Sequence, residues 1–210
     1  VFLPLPKNKE MKRLMILLLL LLLADFGKAD FPAPMLRSSK WVVSQNSSLV
    51  VKGNTNVNRF SCAIDQYPKT DTVMVTADQN NNMLLSGVLN IEVKYFDCQN
   101  LMMTRQLRKT LKEDQFPAFQ VRFLSLKETP LLKQKKDFVK GFVALTITGV
   151  TKQFEICYQL SRDKNTMVLV GNQTINFSDF KLEPPKRMGK LILAKDQLSV
   201  AFVLKMESVI

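Results

Sequence analysis

Asp65, Asp97, Asp179 and Glu183 are the acids that a catalytic reading would start from, and no two of them stand at a spacing that builds an acid–base pair. The chain has no histidine at all. That removes the histidine-dependent triads and dyads, together with histidine metal sites. Three cysteines, Cys62, Cys98 and Cys157, are spread too widely for a zinc site, which wants ligands paired within a few residues. No nucleophile has an activating neighbour in readable range. The residue types therefore point to binding and away from catalysis, with no cofactor or metal expected.

The chemistry that remains is charge. Thirty lysines and arginines against 18 acids give a formal net charge of +12. Such a balance favours anionic partners: membrane surfaces, phosphate-bearing ligands or nucleic acid. The cations are dense at Arg105, Arg108, Lys109 and Lys112, and again at Lys133, Lys135 and Lys136. These groups suit a phosphate headgroup or a transient contact with a membrane surface. A solvated helix face and a solvated loop have the same composition.

Residues 1–29 read as an N-terminal extension and signal peptide. Met11-Lys12-Arg13 supplies a basic start, Leu14 to Ala24 an apolar stretch, and Gly27-Lys28-Ala29 the small residues of a cleavage site. The apolar stretch falls short of the ~20 residues that a membrane-spanning helix needs. Met11 is the expected start and Asp30 the expected first mature residue. Residues 30–210 then form one domain, exported to a bacterial periplasm or secreted. Export makes nucleic acid an unexpected partner and makes a disulfide plausible.

The elements that position these residues follow from periodicity. Alternation of apolar and polar residues marks strands at Trp41–Val43, Ser48–Val51, Asn56–Ile64, Thr72–Ala77 and Leu85–Phe96. In the last of these Leu89, Ile91, Val93 and Tyr95 share the expected buried face. From Leu101 to Lys112 the period changes: Met103, Leu107 and Leu111 recur every four residues, with Asn100 placed as N-cap and Pro117 beyond the end. Strands resume with Phe119, Val121 and Phe123, and then with Val139, Gly141, Val143, Leu145 and Ile147. A tight connection at Gly149–Lys152 leads to Phe154, Ile156, Tyr158 and Leu160. Met167–Phe177 and the stripe Leu198, Val200, Phe202, Leu204 and Met206 complete the set. About eight short strands, one amphipathic helix and no βαβ alternation predict a mainly β fold, an antiparallel barrel or sandwich.

Several segments carry a family resemblance. They are Gly53–Cys62, with its Asn56-Val57-Asn58-Arg59-Phe60-Ser61-Cys62; Tyr95-Phe96-Asp97-Cys98 ahead of the basic helix; Phe116–Phe123; Gly141–Lys152, with Leu145-Thr146-Ile147-Thr148-Gly149-Val150-Thr151; and Ser178-Asp179-Phe180. In this order and spacing they resemble the YceI-like family of exported bacterial lipid-binding proteins, over most of residues 40–206. The resemblance implies an extended antiparallel lipocalin-like β-barrel with a helix near one end. It also implies an apolar interior for a polyisoprenoid or similar long-chain amphiphile. The histidine often found on the helix in that family is missing here, and Leu107 or a neighbour stands in its place; if that histidine touches a ligand headgroup in relatives, its absence puts the headgroup preference here in doubt.

The resemblance also links Cys62 and Cys98 to family motifs. Each lies two residues after a Phe on a strand-like segment, so these two are the expected disulfide, with Cys157 unpaired. In the chain-entropy picture this closure stabilises by roughly 3–4 kcal/mol. The expected ligand lining is Met103, Leu107, Leu111, Phe119, Val121, Phe123, Val143, Leu145, Ile147, Phe177 and Phe202. Arg105, Arg108, Lys109 and Lys112 are the candidate headgroup contacts. A barrel of about eight strands is just wide enough to be filled by side chains or to hold one small ligand. The sequence therefore leaves two readings open: a lipid carrier, or an envelope structural module with a filled core.

Overall fold

The computed structural model describes residues 37–77, 83–126, 136–187 and 191–209. The signal segment, the polar turn at Asp78–Asn82, and Lys133 and Lys135 lie outside the described residues, as does the side chain of Lys136.

Among the described residues eleven strands and one α-helix follow one another: β1 (Arg37–Val43), β2 (Ser48–Thr55), β3 (Arg59–Ile64), β4 (Thr72–Ala77), β5 (Met83–Glu92), α1 (Leu101–Thr110), β6 (Ala118–Leu126), β7 (Lys136–Ile147), β8 (Val150–Asp163), β9 (Thr166–Asn176), β10 (Lys186–Arg187) and β11 (Ile192–Val209). All pairings are antiparallel, and the fold is mainly β, as the alternation predicts. The path β1-β4-β5-β6-β7-β8-β9-β11 returns to β1 through a β1–β11 ladder, which closes a barrel of eight strands. Closure removes the exposed edges that an open sheet would carry.

Strand β11 makes the two ends of the barrel different. Along one edge it pairs with β9 from Gln197 to Glu207. Along the other it pairs first with β2, from Ala194 to Val203, and then with β1, from Met206 to Val209. The β1–β4 pair therefore completes the wall at one end, and the β2–β3 pair lines it at the other. At the β2–β3 end β3 meets the chain beyond β5 through the bridge Ala63–Asp97, with N–H···O distances of 2.7 and 2.8 Å.

Local chemistry explains the turns and the helix. Ile147 pairs with Val150, so Thr148 and Gly149 alone make the β7–β8 turn, with φ of 48° and 79°. This is the mirror-image turn whose twist matches the flanking strands, and glycine takes its second position without steric cost. The turn sits just ahead of the expected Gly149–Lys152 connection. Helix α1 starts where Asn100 accepts a hydrogen bond from Met103 N at 3.1 Å, and Arg108 and Lys109 occupy its last turn. It ends at Thr110, two residues before the expected Lys112.

Two strand expectations are corrected. The segment 56–58 is the β2–β3 turn, where Asn58 N and Val57 N both donate to Thr55 Oγ1. Beyond Glu92 the chain leaves β5 for a 3₁₀ turn, Val93–Tyr95. Tyr95 is consequently 37% exposed instead of buried, with Lys94 Nζ 4.9 Å from its ring centroid. Alternation cannot carry a side chain inward once the backbone stops being extended.

Candidate functional site

The barrel interior is solid at one end and hollow at the other. At the β1–β4 end Trp41, Val43, Val73, Leu85, Val139, Leu160, Met167, Leu169 and Met206 are essentially inaccessible. At the α1 end lies a cavity of about 170 Å³. Its wall is almost wholly apolar and comes from Leu89 and Ile91 of β5, Leu49 and Val51 of β2, and the inward stripes of β6, β7, β8 and β11. Leu107 and Leu111 close it from α1, and Phe177, Phe180 and Leu182 close it from the segment after β9. The few polar contributors to the wall are Ser47, Ser48, Gln173 and Asn176, with the tyrosines Tyr67 and Tyr158.

These residues reach the cavity for local reasons. On β6 to β8, Phe119, Val121 and Phe123, then Val143, Leu145 and Ile147, then Phe154, Ile156 and Tyr158 occupy alternate positions and so point to the same side. Helix α1 is held against the barrel by three kinds of bond. The Cys62–Cys98 disulfide joins β3 to the residues just before it, and Cys157 is free and exposed. Cys98 N donates to Thr104 Oγ1 at 3.0 Å. The Arg108 guanidinium donates to the carbonyl oxygens of Lys94 and Phe96.

Ten of the eleven expected lining residues border this one cavity: Leu107, Leu111, Phe119, Val121, Phe123, Val143, Leu145, Ile147, Phe177 and Phe202. Met103 does not. It lines a separate apolar hollow of about 60 Å³ together with Phe60, Cys62, Pro185 and Ile192, and Leu107 and Phe177 border both spaces. Met103 lies one helical turn before Leu107, which carries it past the main chamber. Of the headgroup candidates, Arg105, Lys109 and Lys112 are exposed. Arg108 is half-buried, its Nη2 is bound to backbone carbonyls, and its Nε is buried without a partner among the described residues. Arg108 thus anchors the helix to the chain after β5 and is not free for a ligand.

Sequence reading named no lining residue on β2 or β5, and only Phe177 in the segment after β9. Phe180 and Leu182 are buried around a 3₁₀ turn at Ser178–Phe180, where no period of two exists to mark them. Tyr67 was also unmarked. Its hydroxyl donates to Asp71 Oδ2, which also accepts from Asn90 N at 3.1 Å. Burial, reinforced by the Asp71 hydrogen bond and charge, pushes the phenol well above the ordinary tyrosine range.

The acids have structural partners. Asp97 Oδ1 accepts from Gln99 N at 2.8 Å, Asp179 Oδ2 from Asn176 N at 2.9 Å, and Glu183 pairs with Lys186 at 3.3 Å. Asp65 is exposed beyond the end of β3. On the outer surface Lys69 and Lys94 flank Glu92 at 2.8 and 2.5 Å. The hydrogen bond from Lys69, then that from Lys94, holds the Glu92 carboxyl below its usual range.

A closed antiparallel barrel with a helix against one end and an apolar chamber beneath it defines a lipocalin-like architecture. The YceI-like domain family matches residues 40–206, and the chain belongs to that family. Two solved structures share the fold. One is a polyisoprenoid binding domain from Saccharophagus degradans implicated in plant cell wall breakdown, with a TM-score of 0.56, 11% identity, and coverage of 82% of this chain and 100% of that one. The other is BcnA of Burkholderia cenocepacia, with a TM-score of 0.54, 14% identity, and coverage of 76% and 96%. No curated protein sequence matches the chain.

Proposed function

We propose that the chain is an exported, non-enzymatic binding protein whose hollow end holds the apolar tail of an isoprenoid or similar long-chain amphiphile. The observation that carries this reading is the apolar chamber under α1, bordered by ten of the expected side chains on β6, β7, β11, the helix and Phe177. Each methylene buried there contributes roughly 0.8 kcal/mol, so a tail gains affinity without polar contacts. The polyisoprenoid-binding relative from Saccharophagus degradans supports the ligand class. Arg105, Lys109 and Lys112 stay exposed for a phosphate headgroup or a transient membrane contact. The Cys62–Cys98 disulfide suits an oxidising compartment, in keeping with export to a periplasm or secretion.

The solid end of the barrel favours a second reading, an envelope module without a small ligand. Native mass spectrometry of protein purified from its own host, followed by organic extraction, separates the two. A lipid recovered at near one-to-one stoichiometry supports the carrier. A clean unliganded mass, with no uptake of prenyl lipids on addition, supports the module and removes the carrier reading.

A further inference from the structure

On the β8–β9–β11 side the hollow chamber ends at residues that form one row across three strands, while on the β2 side its wall continues to Ser48 and Leu204. Tyr158 of β8 is paired in register with Gly171 of β9, and Gly171 is paired on its other side with Phe202 of β11. The two rings close over the glycine between them, with centroids 5.7 Å apart and planes 66° apart, the edge-to-face arrangement that aromatic pairs favour. Glycine leaves the room for this contact, because a Cβ at 171 would stand 2.5 Å from Phe202 Cζ and the ring would have to shift. Tyr158 is seated similarly at its back, where a Cβ on Gly141 would lie 3.0 Å from Tyr158 Cε2.

The rows on either side differ sharply. Toward α1, Gln173 and Val200 are paired and only partly buried, and both line the chamber. Away from α1, Leu160, Leu169 and Leu204 form the next row at 2%, 0% and 6% exposure, of which Leu204 alone reaches the chamber wall, and Met167 and Met206 follow at 1% and 0%. The rings of Tyr158 and Phe202 therefore stand where hollow barrel becomes solid barrel. The size bears on tail length: an engineered apolar cavity of about 150 Å³ holds a benzene, and pockets for drug-sized ligands usually run to about 300 Å³ or more. This chamber has about 170 Å³.

We infer that the Tyr158–Phe202 pair on Gly171 is the floor of the ligand chamber on this side and sets the length of tail from which the protein gains affinity. This rests on the carrier reading above and specifies its ligand. A tail longer than the chamber must leave its remainder outside, where it adds little affinity. Phe202 is the adjustable member, since its ring is partly accessible from the chamber, whereas Tyr158 is 2% exposed.

The test is a tail-length series with a constant headgroup. Geranyl, farnesyl and geranylgeranyl monophosphate are titrated calorimetrically into the native protein and into Phe202→Ala, Phe202→Leu and Gly171→Ala variants shown to be folded by circular dichroism. The native protein is expected to gain affinity with length and then stop gaining. In Phe202→Ala the limit moves to the next longer tail, which gains about tenfold or more, and Phe202→Leu shows the same shift more weakly. Gly171→Ala, which drives the ring into the chamber, loses affinity for the tail that the native protein prefers. Binding whose length limit is identical in native protein and both Phe202 variants overturns the floor and leaves the carrier reading standing. Absence of binding by the native protein across the series overturns both.

Discussion

On β7, β8 and β11 the same alternation produces two different interiors. Val139, Leu160 and Met206 are at most 2% exposed and packed into the solid end, whereas Leu145, Phe154 and Val200, inward on the same three strands, are only partly buried and border a chamber. The difference comes from what completes the wall. At the solid end β1 and β4 bring Trp41, Val43, Val73 and Val75 inward, and the Trp41 indole supplies a large share of the filling. At the hollow end β2 and β3 take that place, and β3 reaches the chain after β5 by a bridge at Ala63–Asp97. There the rest of the wall is α1, a helix held by a disulfide, the hydrogen bond from Cys98 N to the Thr104 hydroxyl and the Arg108 guanidinium. One end of the barrel is therefore built for rigidity, and the other leaves space that side chains do not fill.

Removing the filling should separate the two ends most clearly. Trp41→Ala is expected to cost about 3–5 kcal/mol, because the surrounding side chains cannot collapse into the space of an indole. Chemical denaturation with a two-state fit measures this, and a loss below about 1 kcal/mol would mean that the end is not close-packed. Replacement of Cys62 and Cys98 by alanine together is expected to cost about 3 kcal/mol. It should also act locally. Hydrogen exchange of α1 amides is expected to accelerate more than that of β9 around Leu169, and equal acceleration at both places would contradict a separately tethered hollow end.

A finer comparison uses leucines of one size. Leu169→Ala at the solid end should cost about 2–5 kcal/mol, and Leu145→Ala, beside space that is already empty, about 1–2 kcal/mol. Equal values would argue that the chamber is closed up in solution. The smallest effect is with pH. Tyr67 and Tyr158 are both pushed upward, Tyr158 by burial and Tyr67 by burial and then Asp71. The unfolded chain ionises its tyrosines near about pH 10, so stability holds below that value and falls as pH rises from there through the folded-state range. Melting temperatures across alkaline buffers check this, with Tyr158→Phe expected to flatten the slope. An unchanged slope would place that hydroxyl in water.

Much of the barrel was legible in the residues because strand and helix periods are local properties. Val143, Leu145 and Ile147 announce a buried face by spacing alone, and Asn100 followed by Met103, Leu107 and Leu111 announces a capped helix. Where chain geometry changes without a change in residue type, the reading failed. Tyr95 continues the alternation on paper, but the backbone has already turned at Val93. Arg108 looks like its neighbours Arg105 and Lys109, but only the fold brings the Lys94 and Phe96 carbonyls to its guanidinium.

From the sequence alone came a mainly β chain with one amphipathic helix, an unsuitability for histidine chemistry, the membership suggested by its motifs, and the cysteines worth pairing. Each of these depends on residue type or on spacing within a segment. Which end of the barrel is hollow, which phenylalanine forms its floor and which cation is already bound were decided only by tertiary structure. Leu204 and Phe202 have the same parity and similar hydrophobicity. What differs is that Phe202 stands beside Leu49 of β2 and opposite Gly171, whereas Leu204 lies past the β2 ladder and opposite Leu169, and such pairings join residues that are far apart in the chain.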